Sequence, residues 1–181
     1  MIVGDGYYRL MNGDEKVPAL FERRTAAATL YGNVVDFSDQ KEGYVRSVAQ
    51  AGGTEAGYGL LNIETARGTD VCFAAYRPGT HRDGRLETDS LQALVLNDGE
   101  KVRALYLGGG TTLAFGAALL ARNSAGLASL EQQPDGSFLV ANPSPGAADI
   151  TVKLPTFAVP VKLHLQANAK SELTATGKTK P

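Results

Sequence analysis

The amino-acid sequence predicts an all-β protein, an antiparallel β-sandwich of roughly a dozen short strands. Two observations lead to this fold class. Short runs of residues either alternate between apolar and polar side chains or are apolar throughout, which is the period-two pattern of strands. Each run ends at Gly, Asp, Asn or Pro, the residues that favour turns. We therefore expect far less helix than in an average globular domain.

The strand candidates are separated by turn signals along most of the chain. They are residues 46–50, 58–66, 69–77, 91–116, 135–143 and 147–155. Asp98-Gly99 divides two apolar runs and predicts a tight hairpin, because Asp-Gly tolerates the positive φ angles of such turns. The run 134–136, Pro-Asp-Gly, repeats this device. Residues 17–30 are rich in alanine, but their β-branched end favours a strand with one covered face.

Three consecutive glycines, residues 108–110, allow two interpretations. They could cradle a phosphate group, or they could form a tight reversal between two strands. A phosphate loop requires a lysine and a helix start after its glycines, and a dinucleotide loop also leads into a helix. Here the strand-like run TTLAFG follows. The sequence therefore favours a turn and argues against a nucleotide-dependent enzyme.

Composition excludes several classes of protein. The 181 residues, 43% of them hydrophobic, suffice for one core, so we expect a single domain over residues 1–181. A formal charge of -1 provides no field that attracts nucleic acid or an anionic membrane surface. No apolar run approaches the roughly 20 residues of a membrane-spanning helix. Cys72 is the single cysteine, which excludes an internal disulfide and predicts a buried, inert thiol.

Catalytic and cofactor motifs are scarce. His81 and His164 do not share the spacing of a metal site, and no serine or cysteine nucleophile is accompanied by a local base. The alternation around His164 predicts an exposed strand residue. We therefore assign no catalytic residue, no metal and no cofactor from the sequence.

The polar segment 74–90 contains the best candidates for a binding site. It follows an apolar strand and contains Pro and Gly, which predicts a loop. A tyrosine can stack on a sugar ring while arginines grip a carboxylate or sulfate. The predicted substrate-binding residues are Tyr76, Arg77, His81 and Arg82, with Arg85 nearby. The alternative is a solvated loop whose arginines pair with its own acids, Asp83, Glu87 and Asp89.

The order of strands and turns resembles the C-terminal β-sheet region of heparinase II/III-type polysaccharide lyases. That region combines a short strand with an acidic end, a Tyr-Val-Arg-Ser-Val strand and a strand ending in Glu-Thr. The matching stretches here are residues 34–36, 44–48 and 61–65, followed by Gly68 and Asp70. Residues 83–116 resemble the hairpin and Leu-Tyr-Leu-x-Gly-Gly strand that come later in that family.

The resemblance implies a function in polysaccharide breakdown. In these lyases the polysaccharide lies between an α/α toroid and the β-sandwich, and Tyr and His residues, many of them from the toroid, abstract the proton at C5 of a uronic acid. The present chain has no toroid. The resemblance thus implies a noncatalytic accessory domain, the C-terminal part of a larger periplasmic or secreted lyase, which packs on the toroid and lines the cleft. No family motif assigns a role to His81.

Two alternatives stay open. A free-standing carbohydrate-binding module would use exposed tyrosines, and its candidates are Tyr7, Tyr8, Tyr31, Tyr44, Tyr58 and Tyr76. A small lyase with its own site ranks last, because proton abstraction requires a base, an acid and a group that neutralises the carboxylate. The expected partners are an acidic polysaccharide and the toroid domain, with neither nucleic acid nor membrane.

Overall fold

The computed structural model of the chain describes residues 2–10, 13–21, 34, 44–53 and 55–180. All regular secondary structure in these residues is β-strand. The chain divides into two compact units, Met1–Tyr31 and Gly32–Pro181. The all-β prediction is therefore confirmed, while the extent of the predicted single domain stays a prediction.

The first unit is one antiparallel hairpin. It consists of β1 (Ile2–Leu10) and β2 (Gly13–Phe21), paired from Ile2 opposite Phe21 to Leu10 opposite Gly13. The strand expected within 17–30 thus begins inside β2, and the remainder of that segment lies outside the described residues.

The second unit contains one antiparallel sheet of 12 strands. Its strands are β3 (Val45–Gly53), β4 (Tyr58–Thr65), β5 (Thr69–Ala75), β6 (His81–Asp83), β7 (Leu86–Thr88), β8 (Gln92–Asp98), β9 (Lys101–Phe115), β10 (Ala118–Gln132), β11 (Phe138–Ala141), β12 (Ala148–Lys153), β13 (Val161–Leu165) and β14 (Lys170–Leu173). The predicted Asp-Gly turn joins β8 to β9, where Gly99 has a φ of 62°. The second predicted turn joins β10 to β11, where Gly136 has a φ of 82°.

The long strands β9 and β10 connect two layers of the sandwich. The first part of β9 pairs with β8, whereas its end pairs with β7. In β10 the order is reversed, because its start pairs with β12 and its end with β11. One layer therefore contains β3, β4, β5, β8, β11 and β14, and the other contains β6, β7, β12 and β13.

One apolar core lies between these layers. Val95, Leu105 and Leu130 are fully buried in the first layer, and Leu113 and Ile150 are fully buried in the second. They belong to a single cluster of contacting side chains. Each leucine or isoleucine removed from water contributes roughly 1.5–3 kcal/mol of hydrophobic stabilisation. The predicted antiparallel β-sandwich is thus confirmed.

The glycine triplet does not reverse the chain, so that prediction is wrong. Gly108, Gly109 and Gly110 lie inside β9, at the place where the strand passes from one layer to the other. A Cβ on Gly110 would lie 2.5 Å from the Cα of Ser90, so the backbones approach too closely for any side chain there. Gly109 adopts a φ of 74°. The reversal occurs eight residues after Gly108, at Gly116, whose φ is 59°.

Candidate functional site

The polar segment 74–90 contains the predicted loop only at residues 76–80, and a short hairpin follows it. β6 and β7 pair in register, with His81 opposite Thr88 and Asp83 opposite Leu86. Gly84 and Arg85 form the turn between these strands, and Gly84 has a φ of 54°. β7 then pairs with the end of β9, which attaches the hairpin to the second layer. The hairpin therefore holds the side chains of residues 81–88 on a defined strand surface.

Three of the four predicted residues lie near one another. Tyr76 and Arg77 follow β5 directly and are exposed, with 42% of Tyr76 accessible to solvent. His81 is half-buried, and its Nε2–H group donates to the carbonyl oxygen of Arg77 at 3.3 Å. The His81 ring packs against Tyr58 and Phe73, with centroid distances of 5.3 and 5.5 Å. His81 is thus held against the core beside the exposed Tyr76 and Arg77.

The fourth residue, Arg82, lies on the other face of β6. Side chains alternate along a strand, so Arg82 points away from the face that His81 and Asp83 share. Its guanidinium forms an ion pair with Glu87 at 2.8 Å, and 74% of the Arg82 side chain is exposed. The alternative of internal pairing therefore holds for Arg82. The hairpin separates it from the other predicted residues.

The remaining acids of the segment have structural partners. The Tyr58 hydroxyl donates to Asp83 Oδ2 at 2.9 Å. Burial and this hydrogen bond both raise the pKa of Tyr58 above its usual value. Asp89 accepts hydrogen bonds from the backbone of Thr111 and Thr112. Neither acid forms the arginine pair that the alternative expected.

A cleft opens between the hairpin and the first layer of the sheet. It has a volume of about 300 Å³ and an apolar floor of Leu60, Val71, Leu86 and Phe115. Its polar lining consists of Asn62, Thr69, Asp83, Arg85 and Asn97. An apolar floor with a few convergent polar groups is the usual composition of a small-molecule site.

The sequence analysis missed Asn62 and Asn97 as site residues. Both lie at inward-facing positions of their strands, where Leu60 and Val95 fill the preceding inward positions. A polar residue that interrupts an inward apolar series is a sequence signal for a polar cleft. To use this signal one must know which strands are neighbours in the sheet, and the sequence does not supply the order of the strands.

A second, shallower groove lies on the outer surface of β10, β12 and β13. His164 Nδ1 is 2.7 Å from Asp149 Oδ1, and the Asn123 amide donates to the other carboxylate oxygen at 3.2 Å. His164 Nε2 lies 3.3 Å from the Gln166 amide nitrogen. His164 is 61% exposed, as predicted for a strand residue facing solvent. The groove volume is about 560 Å³.

Cys72 is half-buried in β5 rather than fully buried. Burial, together with the negative charge of Asp70, raises the pKa of its thiol. The group is therefore protonated at neutral pH, and a protonated thiol is a poor nucleophile. Among the described residues, no three His, Cys, Asp or Glu side chains are placed to hold a metal ion.

The tyrosines proposed for a sugar-binding platform occupy different environments. Tyr76 is exposed, Tyr44 is half-buried, and Tyr58 packs on Phe73. The side chains of Tyr7, Tyr8 and Tyr31 lie outside the described part of the structure.

Within the described residues, no helix has the length and apolar character needed to cross a membrane.

Comparisons with known proteins found no relative of this chain. No protein-family profile matches the chain, and no curated protein or solved structure is significantly similar to it.

Proposed function

We propose that this chain is a noncatalytic accessory β-sandwich domain of a polysaccharide lyase that acts on uronic-acid-containing polysaccharide. In this proposal it packs on a catalytic α/α toroid domain of the same periplasmic or secreted protein. The sequence resemblance in residues 34–36, 44–48 and 61–65, described above, is what supports the proposal.

The exposed pair Tyr76 and Arg77 is the observation on which the binding role rests. Tyr76 presents a ring to solvent directly before a guanidinium that forms no ion pair within the described residues. An aromatic ring can contact the face of a sugar, and a guanidinium forms bidentate hydrogen bonds with a carboxylate or sulfate. The two groups therefore suit one acidic sugar residue of a longer chain.

Two groups beside this surface that could donate a proton in elimination are already engaged in hydrogen bonds. The Nε2–H group of His81 is committed to the Arg77 carbonyl, and the hydroxyl of Tyr58 is committed to Asp83. The raised pKa of Tyr58 makes it a poorer base at neutral pH. A binding role without catalysis agrees with these contacts.

Affinity electrophoresis tests the proposal. The purified chain is run in gels that contain heparin, hyaluronate, chondroitin sulfate or alginate, at low and at physiological salt. We expect retardation by at least one polymer, weaker at the higher salt because charges are screened over about 8 Å there. Tyr76→Ala and Arg77→Ala should each reduce it.

Arg46→Ala is the matched control. Arg46 is also exposed, but it lies at the end of β3 that pairs with the far end of β4, away from Tyr58 and the hairpin. The substitution Arg46→Ala removes one positive charge, as Arg77→Ala does. Equal effects of the two substitutions, or no retardation by any of the four polymers, would contradict the proposal.

A further inference from the structure

We infer that the cleft behind the β6–β7 hairpin is a binding site for a small sugar acid, a carboxylate that carries several hydroxyl groups and has the size of one sugar ring. The site is separate from Tyr76 and Arg77, and the inference does not require that the chain bind a polymer. Its lining combines amide groups, an aromatic ring and a cation that forms no ion pair within the described residues.

Arg85 supplies the cation. Its guanidinium lies 4.5 Å from the centre of the Phe115 ring, and within the described residues it forms no ion pair. Gly116 leaves room for this position, because a Cβ there would lie 3.1 Å from Arg85 Nη2. A guanidinium resting on an aromatic face keeps its N–H edge available for a carboxylate.

Asn97 supplies an unsatisfied acceptor. It is 2% exposed, and among the residues that the structure describes its Oδ1 atom has no hydrogen-bond partner. Its Nδ2 group donates to the carbonyl oxygen of Thr69 at 2.6 Å, which fixes the orientation of the amide. A buried acceptor without a donor destabilises the protein, so a ligand hydroxyl that donates to it would remove this cost.

The fold explains why Asn97 is placed in this way. A bulge in β9 shifts the register between Leu96 and Asn97, and the Asn97 backbone N–H donates to the side chain of Asp70 on β5, at 2.8 Å from Oδ1. The Asn97 side chain remains on the inward face, opposite Thr69 and in the same cleft as Asn62. Amides and a hydroxyl are groups that recognise sugar hydroxyls.

Size and charge define the ligand class. A volume of about 300 Å³ is at the lower limit of typical ligand pockets and suits a single ring rather than a longer chain. The Asp83 carboxylate, which accepts the Tyr58 hydroxyl, keeps its negative charge, so a ligand carboxylate belongs on the Arg85 side of the cleft, and Asp83 can accept from ligand hydroxyls. The cleft therefore favours one carboxylate together with hydroxyl groups.

Nuclear magnetic resonance titration of the full chain tests this inference. The probes are sodium glucuronate, glucose and sodium acetate, and the signals are the side-chain amide resonances of Asn62 and Asn97. We expect saturable shifts of both resonances with glucuronate and much weaker shifts with glucose or acetate. Arg85→Gln should weaken glucuronate binding about tenfold, because a charge-assisted bidentate contact is lost.

Asn62→Ala is a second variant, and it tests the amide groups of the cleft independently of Arg85→Gln. Asn62 is half-buried, and its side chain forms no hydrogen bond within the described residues, so its variant should fold and still weaken binding. Equal shifts with glucose, equal shifts with acetate, or unchanged affinity in Arg85→Gln would each overturn the inference. Loss of polymer binding in Tyr76→Ala with glucuronate binding retained would support it and show that the two sites are separate.

Discussion

The carboxylate of Asp89 accepts a hydrogen bond from the backbone N–H of Thr111 at 2.8 Å. The same Oδ1 atom accepts the N–H of Thr112 at 2.7 Å, and the Thr111 hydroxyl donates to Oδ2 at 2.5 Å. These bonds occur where β9 changes layers, between its pairing with β8 and its pairing with β7. One side chain thus satisfies the backbone groups that the change of layer leaves without a strand partner.

Removal of this carboxylate should destabilise the protein. Asp89→Ala leaves two backbone N–H groups without acceptors, and we expect a loss of about 1–3 kcal/mol in the free energy of unfolding. Urea denaturation followed by circular dichroism measures it. Glu55→Ala, at an exposed position between β3 and β4, is the control and should change stability by less than about 0.5 kcal/mol. Equal stability of the two variants would contradict this role of Asp89.

The contribution of Asp89 should depend on pH. Partial burial opposes its ionisation, but hydrogen bonds from Thr111 and Thr112 outweigh burial and lower its pKa below 3.8. A lowered pKa in the folded state stabilises the protein above 3.8, and the stabilisation is lost as pH falls through the folded-state pKa. The difference in unfolding free energy between the native chain and Asp89→Asn should therefore be constant near neutrality and shrink in acid. Denaturant titrations at several pH values test this, and a difference that grows in acid would refute it.

Gly110 should not tolerate a side chain. A Cβ on Gly110 would lie 2.5 Å from the Cα and 2.7 Å from the backbone nitrogen of Ser90, and neither atom belongs to a flexible side chain. We expect Gly110→Ala to cost about 1–3 kcal/mol of stability through forced backbone movement. Thermal unfolding of Gly146→Ala gives the comparison, because a Cβ at Gly146 meets no atom within 4 Å. Similar melting temperatures for both variants would show that the close approach is absent.

The hairpins were predictable because they depend on local chemistry. Asp98-Gly99 marks the β8–β9 turn in the sequence itself, since the required φ angles limit the residues that fit. Strand β10, the second strand of the β9–β10 hairpin, was not predicted. Arg122 interrupts its apolar pattern at a buried position, where the guanidinium donates to Ser144 Oγ at 2.6 Å. Such a long-range contact leaves no local signal.

The candidate site was predictable only in part. Tyr76, Arg77 and His81 lie together because they are close in the chain, so their composition sufficed to find them. The opposite orientation of Arg82 follows from the alternation of side chains along β6. The Asp83-Gly84 pair is a turn signal in the sequence and marks the end of this strand. The cleft could not be predicted, because Asn62 and Asn97 meet only through the order of strands β4, β5 and β8.

Tyr106 should titrate at unusually high pH. Burial and a hydrogen bond to Glu131 raise its pKa to about 12, from 10.0. A raised pKa stabilises the folded state below 10.0, and this stabilisation is lost as pH rises towards about 12. The stability advantage of the native chain over Tyr106→Phe should therefore decrease in this interval. Ultraviolet titration of tyrosinate, compared between the two proteins, measures the same ionisation. Its complete appearance near pH 10 in the folded native chain would contradict the assignment.

The purified chain should show no lyase activity. Elimination from a uronic acid requires a base for the C5 proton, an acid for the leaving oxygen and a group that neutralises the carboxylate around one ring. Arg77 could neutralise a carboxylate, but His81 is packed between Tyr58 and Phe73, and Arg82 lies on the opposite face of β6.

We therefore expect no increase in ultraviolet absorbance from unsaturated product with heparin, hyaluronate, chondroitin sulfate or alginate. A known lyase added to the same reactions provides the positive control, since it shows that each polymer can be cleaved under the chosen conditions. His81→Ala is the decisive variant, because it removes the one imidazole of the hairpin. Turnover by the native chain that disappears in His81→Ala would place a catalytic site at β6, and the accessory role would then be wrong.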